Sequence, residues 1–404
     1  MKEEAQKNSK TRWAGTLGMA IRIALGIWLL AGVVWAALGI GELFQVAEGS
    51  RPAVATDGRG NQVVVFQAPD GGIHGRLRDA GGRAVGIEFL ISPDTEAARP
   101  DVAVLRSGGF IAAWQNGEES PAVVAHRFDR RGRAVGIEFL VDAEGQDPAI
   151  GIDDRGIMVA AWTAPAGSVG HKFRHVVGRF DARGRAVGIE FQLGRSGPAT
   201  PPALAVQEAG RFLVVWEDDR GDVVAQAFDV DGTPLDHAIR VNQSRFGDQV
   251  SPDATAALDG DYTVVWERLL PGSLGRKVYG RRIAASGRAV GIEFLVSEST
   301  SERPTSPAIM ADHRGNTVAT WVSYQGHHRV LAREVSLDGR AVGIEFLVDA
   351  GTSATSVRTS RGGDTGDFVV IWDTEDGEIE PRILGRDLLL DESDDDDDHH
   401  DDDD

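Results

Sequence analysis

Along residues 41–390, short apolar runs recur between polar turns. The runs VVVF, FIAAW, MVAAW, FLVVW, TVVW, TVATW and FVVIW close on Phe66, Trp114, Trp162, Trp216, Trp266, Trp321 and Trp372. Ahead of them lie small-residue segments such as PAVAT, PAIGI and PALAV, and behind them segments such as AHRFD, VGRFD and AQAFD. A turn of the D-x-x-G type follows, as in Asp129–Gly132, and then the run AVGIEFLV. Gly suits the positive-φ position that such hairpin turns need. In the first copy Val85, Ile87, Phe89 and Ile91 alternate with Gly86, Glu88 and Leu90, which predicts a strand with the first set on one face. Four strands per unit is the expectation.

The units repeat. The string GRAVGIEF starts at Gly82, Gly132, Gly184, Gly287 and Gly339, and GTPLDHAIRV at Gly232 is a diverged sixth copy. A ladder of Pro52, Pro100, Pro148, Pro202, Pro252 and Pro307 keeps the same interval. Seven units of about 50 residues with four strands each predict an all-β, seven-bladed β-propeller over 41–390. The last unit lacks the fourth-strand motif after Ile383. Phe44-Gln45-Val46 resembles Phe191-Gln192-Leu193, so an N-terminal strand is expected to complete the last blade; Leu388–Leu390 is the alternative.

Val241-Asn242, Gly247-Asp248-Gln249, Ser251-Pro252 and the run Asp259–Trp266 resemble repeats of large bacterial secreted and surface proteins. The resemblance spans about 350 residues. It implies a bacterial, extracytoplasmic binding or surface protein with a propeller fold, and it brings no catalytic residues. The five GRAVGIEF copies depart from the related pattern, roughly G-x-P-x-G.

Outside the repeat, residues 23–40 (IALGIWLLAGVVWAALGI) are uncharged and approach the length of a bilayer span. Lys2, Lys7, Lys10, Arg12 and Arg22 precede this stretch, so the positive-inside rule leaves 1–22 in the cytoplasm and the body outside a bacterial inner membrane. A signal peptide cleaved near Val34-Trp35-Ala36 is the rival reading.

Charge adds detail. The chain carries −20 overall; the tail 391–404 (DESDDDDDHHDDDD) holds 11 acidic groups and 1–22 is +3, leaving −12 on the body. Nucleic acid is a poor partner for such a body. The tail is expected to be disordered. Its Asp394, Asp395, Asp396, Asp397, Asp398, His399, His400, Asp401, Asp402, Asp403 and Asp404 are candidate ligands for Ca²⁺ or another divalent cation. The absence of Cys excludes disulfides, thiolate nucleophiles and Cys-ligated metals.

The loops between second and third strands vary most. Units three, five and six supply His171, Lys172, Arg174, His175, Arg268, Arg276, Lys277, His327, His328 and Arg329, a candidate basic sector for a carboxylate- or phosphate-bearing polysaccharide. Units two, four and seven are acidic there, with Glu118, Glu119, Glu217, Asp218, Asp373 and Glu378 among others. The repeated Arg and Glu of GRAVGIEF predict a charged outer rim that blocks edge pairing, or a multivalent perimeter. Asp229-Val230-Asp231-Gly232 reads as a hairpin turn rather than a calcium loop. No G-x-S-x-G, H-E-x-x-H or P-loop is present. The sequence thus describes a membrane-tethered propeller that binds a protein or an anionic polymer. A metal- or mineral-binding role led by the tail is one alternative. A glycan-acting hydrolase or lyase in the propeller channel is another, and it requires carboxylates from different blades to meet near the axis.

Overall fold

A computed structural model describes residues 45–384 except 169–170, 197–199, 272–274, 299–302, 313–314, 351–352 and 362–365. The 23–40 stretch and the 391–404 tail lie outside the described residues. Among the described residues, no helix is long and apolar enough to cross a membrane.

The described chain forms seven antiparallel four-stranded sheets. Blade 1 runs Ser50–Thr56, Gln62–Gln67, Ile73–Arg78 and Ala84–Ser92 from its inner to its outer strand. Blades 2 to 6 repeat this over 97–142, 146–196, 203–240, 248–295 and 305–350. Each inner strand contacts the inner strands of both neighbouring blades, so the seven surround a common axis. Blade 7 uses Ala354–Arg361, Phe368–Thr374 and Glu378–Leu384, and Ala47–Glu48 forms its outer strand. Ala47 pairs with Ile379, and the Val46 amide donates to the Ile379 carbonyl at 2.8 Å. The N-terminal segment therefore closes the ring, as the strand count predicted.

The second strands are buried on both faces because each blade is sandwiched between two others. In blade 1, Val63 and Val65 pack toward blade 2 while Val64 and Phe66 pack toward blade 7. Seven hydrophobic clusters each join residues of two adjacent blades. The six tryptophans of the ladder and Phe66 are all at most 1% exposed and belong to these interfaces.

The outer strand departs from simple alternation. Gly75 pairs with Phe89 and Leu77 with Val85, so Gly86, Ile87 and Glu88 oppose Arg76 alone. Gly86 takes φ +75° at this bulge. Phe89 and Ile91 pack inward, but Ile87 is turned out and 85% exposed. The expected alternation is corrected at Ile87: Val85 and Phe89 stay on the face of their partners Leu77 and Gly75, and the bulge between them turns Ile87 out of line with Phe89 and Ile91. Ile137, Ile189, Ile292 and Ile344 are exposed at the equivalent position.

The ladder prolines mark a second bulge, on the inner strands. Opposite Phe66, blade 1 places both Arg51 and Pro52. Arg51, Arg99, Asp147, Ser251 and Ser306 each precede a ladder proline and adopt φ between +51° and +54°. A non-Gly residue in this left-handed region carries a strain of about 1–2 kcal/mol. Two blades offset it with a carboxylate from the preceding blade. Asp373 accepts the Arg51 amide at 2.9 Å, and Glu267 accepts the Ser306 amide at 2.7 Å.

Candidate functional site

Antiparallel four-stranded blades give the disc two faces. Loops between second and third strands open on one, the loop face. Turns between first and second and between third and fourth strands lie on the other, the turn face.

The candidate basic residues fall at the loop-face ends of blades 3, 5 and 6, but most are strand residues already engaged. His171, Lys172, Arg174 and His175 belong to the strand His171–Phe180. The His175 side chain is fully buried, its ring centroid 6.3 Å from that of Trp216, and burial lowers its pKa to about 4. It is a neutral imidazole between blades 3 and 4, so it adds nothing to a cationic sector. Arg268 is also buried. It donates to Glu293 at 2.7 Å and Gln249 at 3.0 Å, and stacks 3.8 Å from the Tyr279 ring centroid. Trp266 donates to the same Gln249 oxygen at 2.9 Å. Arg276 pairs with Glu267 at 3.2 Å, and the Lys277 ammonium donates to the Glu298 carbonyl at 3.0 Å. His328 Nδ1 lies 2.7 Å from the Ala354 carbonyl oxygen and Arg329 donates to Gln325 at 3.2 Å. Arg174 is half-buried, and His327 is exposed. Most of these contacts lie within a blade, and they occupy the candidate cations with protein partners.

The cleft on the loop face lies in the opposite sector. It encloses about 930 Å³ over blades 7, 1 and 2. Glu48, Glu96, Glu118, Asp376 and Glu378 contribute carboxylates to its lining, and Arg51 and Arg99 contribute guanidinium groups. Gln67 and Gln115 add amides. Arg99 is ion-paired to Asp147 of blade 3, whose carboxylate is buried. The two arginines are the strained residues that precede Pro52 and Pro100, so the inner-strand bulge is what carries them to the mouth. The acidic loops of this sector were visible in the sequence. The arginines were not singled out, although their place before the ladder prolines marked them.

The axis holds a second group of charges. Asp101 of blade 2 accepts the Val102 amide at 2.9 Å and the Ile150 amide of blade 3 at 2.7 Å. Asp253 of blade 5 accepts the Ile309 amide of blade 6 at 2.8 Å. Burial raises both carboxyls, Asp101 to about 6, and the backbone donors and Arg358 of blade 7 oppose the rise. Arg358 is exposed and donates to the Val357 carbonyl at 3.0 Å. Two carboxylates from different blades thus share one electrostatic neighbourhood, each also fastening its blade to the next.

Glu217, the residue after Trp216, stands where Glu267 and Asp373 stand in their blades. Burial, with Asp248 and Asp218 nearby, raises it to about 7, and its Oε2 has no hydrogen-bond partner. Among the described residues no cluster of three or more His, Asp or Glu could hold a metal ion. In the Asp229–Asp231 turn, both carboxylates accept backbone amides, from Val230 and Thr233 at 2.9 Å.

No family model and no curated protein matches the chain. Solved structures do match. An ulvan lyase of polysaccharide lyase family PL25, bound to a -[GlcA(1-4)Rha3S]- oligomer, is 12% identical with a TM-score of 0.55, covering 85% of this chain and 96% of its own. The BP39L lectin from Burkholderia pseudomallei is 12% identical with a TM-score of 0.54, covering 84% and 97%. A protein of unknown function from Dyadobacter fermentans is 12% identical with a TM-score of 0.50, covering 85% and 99%. At this identity the likeness is one of fold, and it defines the chain as a seven-bladed β-propeller.

Proposed function

We propose that the protein is a carbohydrate-binding propeller and that its recognition site is the loop-face cleft over blades 7, 1 and 2. The observation that carries the reading is the cleft lining: carboxylates, amides and two guanidinium groups from three consecutive blades around about 930 Å³. Such groups suit a polyhydroxylated ligand, since carboxylates accept and guanidinium groups donate to vicinal hydroxyls. Five carboxylates against two arginines favour a neutral or amino-bearing glycan over an anionic one. The lectin and lyase likeness in fold is consistent with this reading. The basic stretch before 23–40 supports a tether in a bacterial inner membrane, with the propeller outside. The repeat's resemblance to bacterial surface proteins points the same way.

The test is retention on immobilised neutral, amino-bearing and sulfated polysaccharides. Retention on a neutral or amino-bearing polymer, reduced at least tenfold in an E96Q/E118Q/E378Q variant of unchanged stability, is the expected result. Retention that ignores these substitutions removes the cleft from the argument.

A glycan-cleaving reading rests on one observation, the shared neighbourhood of Asp101, Asp253 and Arg358 near the axis. It requires release of reducing ends from a polysaccharide, abolished in both D101N and D253N while the fold is kept.

A further inference from the structure

The turn face displays arginine out of proportion to its composition. In blades 1 to 3 its turns, 57–61, 78–83, 105–109, 127–133, 153–157 and 179–185, hold 12 Arg and six Asp. The aspartates point inward. Asp57 accepts the amides of Arg59 and Asn61 at 2.9 Å, and Asp129 those of Arg131 and Arg133 at 2.8 and 2.9 Å. Asp153 and Asp181 cap their turns in the same way. Nine of the arginines are exposed, against Asp154 alone among the aspartates. The capped aspartates keep their charge but are turned inward. Arg155 and Arg185 pair with Asp153 and Asp181, and Arg106 with Glu208 of blade 4. This leaves Arg59, Arg83, Arg130, Arg131, Arg133 and Arg183 as the other exposed arginines of a sector with twice as many Arg as Asp. The equivalent turns of blades 4 and 5, 207–211, 227–233, 257–261 and 282–288, hold three Arg and five acidic residues. The excess of arginine thus falls in blades 1 to 3 and is absent from blades 4 and 5.

We infer that this patch is the docking site of the chain's own acidic tail, 391–404. Three observations carry the inference. The tail offers 11 carboxylates to a patch of excess positive charge, and guanidinium groups pair readily with carboxylates. The chain leaves the propeller on the same face: Leu384 pairs with Phe368, at the turn-face end of its blade. It leaves from blade 7, next to blade 1 where the patch begins. Length is sufficient. At about 3.3 Å per residue, 385–390 span about 20 Å and 391–404 about a further 46 Å, enough to pass over blades 1 to 3. The docked tail screens the face from other polyanions, and the interaction is governed by salt. Its basis is independent of the cleft on the opposite face.

Because the chain has no Cys, two introduced cysteines give a unique pair of spin labels. Full-length chain in detergent micelles is labelled at S393C with S107C on the turn face, or at S393C with S120C on the loop face. Pulsed dipolar spectroscopy at low salt should give a short, narrow distance distribution for the first pair and a broad one for the second. The short distance should vanish in 1 M salt, where the Debye length falls to about 3 Å. It should also vanish with added dextran sulfate, and in an R130Q/R131Q/R133Q/R183Q variant whose melting temperature is unchanged. Equal broad distributions for both pairs at low salt would overturn the inference. So would a short distance that survives 1 M salt and the four substitutions. Loss of the short distance on dilution with unlabelled chain would assign the tail to a neighbouring molecule and overturn it equally. Glycan retention by the cleft is unaffected by any of these outcomes, so the two readings fail separately.

Discussion

Replacing Ile87 and Ile91 in turn separates the bulged outer strand from a regular one. A regular alternation places both side chains on the same face, so Ile87→Ala and Ile91→Ala would cost the same. The bulge at Gly86 instead leaves Ile87 85% exposed and Ile91 6% exposed. Ile→Ala removes about three carbon groups worth about 0.8 kcal/mol each when fully buried, or about 2.4 kcal/mol. Scaled by burial, Ile87 loses about 0.4 kcal/mol. Ile91 loses about 2.3 kcal/mol, and the cavity left among Ala53, Ile73 and Trp114 brings this to about 3–4 kcal/mol. Urea unfolding followed by tryptophan fluorescence reads the difference as a midpoint shift. Ile91→Ala should lower the midpoint several times more than Ile87→Ala. The repeat supplies internal replicates: Ile137 with Val141, Ile292 with Val296 and Ile344 with Val348 carry the same contrast. Equal shifts at Ile87 and Ile91, reproduced in a second blade, would refute the bulge and restore the alternating strand.

His175 titrates near 4 when folded and near 6.5 when unfolded, so only the unfolded state gains a proton between those values. Acidification from pH 6.5 to 4 should cost up to about 3 kcal/mol, and the H175Q variant should show a flatter stability–pH curve there in denaturant titrations. Glu217 has the opposite sign. Its folded pKa of about 7 exceeds the ordinary glutamate value, so its contribution is present at pH 4 and lost as pH rises through 7. E217Q should therefore stabilise the protein at pH 8 and leave it nearly unchanged at pH 4, as read by urea midpoints at the two values. Arg268→Ala should cost about 3–5 kcal/mol, because it strands Glu293 in a largely buried site, and the R268A/E293Q pair should recover part of that loss in calorimetry. Val46→Asp puts a charge into the closing contact between blades 7 and 1 and should lower the melting temperature more than any substitution at exposed Glu48.

The parts of this molecule legible from sequence are those set by period. Apolar runs ending in Phe66 and the six tryptophans, repeated with a Gly turn and a fourth run, left few architectures other than a ring of blades. The missing seventh fourth strand announced that the N-terminus would close it. What period does not encode is phase and direction. Gly86 resembles any strand glycine until its positive φ turns Ile87 outward. Arg51 and Arg99 resemble surface residues until the bulge before each proline turns them toward a cleft. A loop rich in His and Arg reads as a cationic patch only if the loop is free. In blade 5 Arg268 is instead consumed by Glu293, Gln249 and Tyr279, and in blade 3 His175 is buried as a neutral ring. Conversely, the turn aspartates point inward to cap backbone amides, so the turns Asp129–Arg133 and Asp181–Arg185, already +2 and +1 by composition, present chiefly arginine to solvent. Which charged groups a face presents therefore depends on which ones hydrogen bonding turns inward. The outcome is a cleft of carboxylates over blades 7, 1 and 2, proposed above for a sugar, and an arginine-rich face on blades 1 to 3, proposed above for the acidic tail.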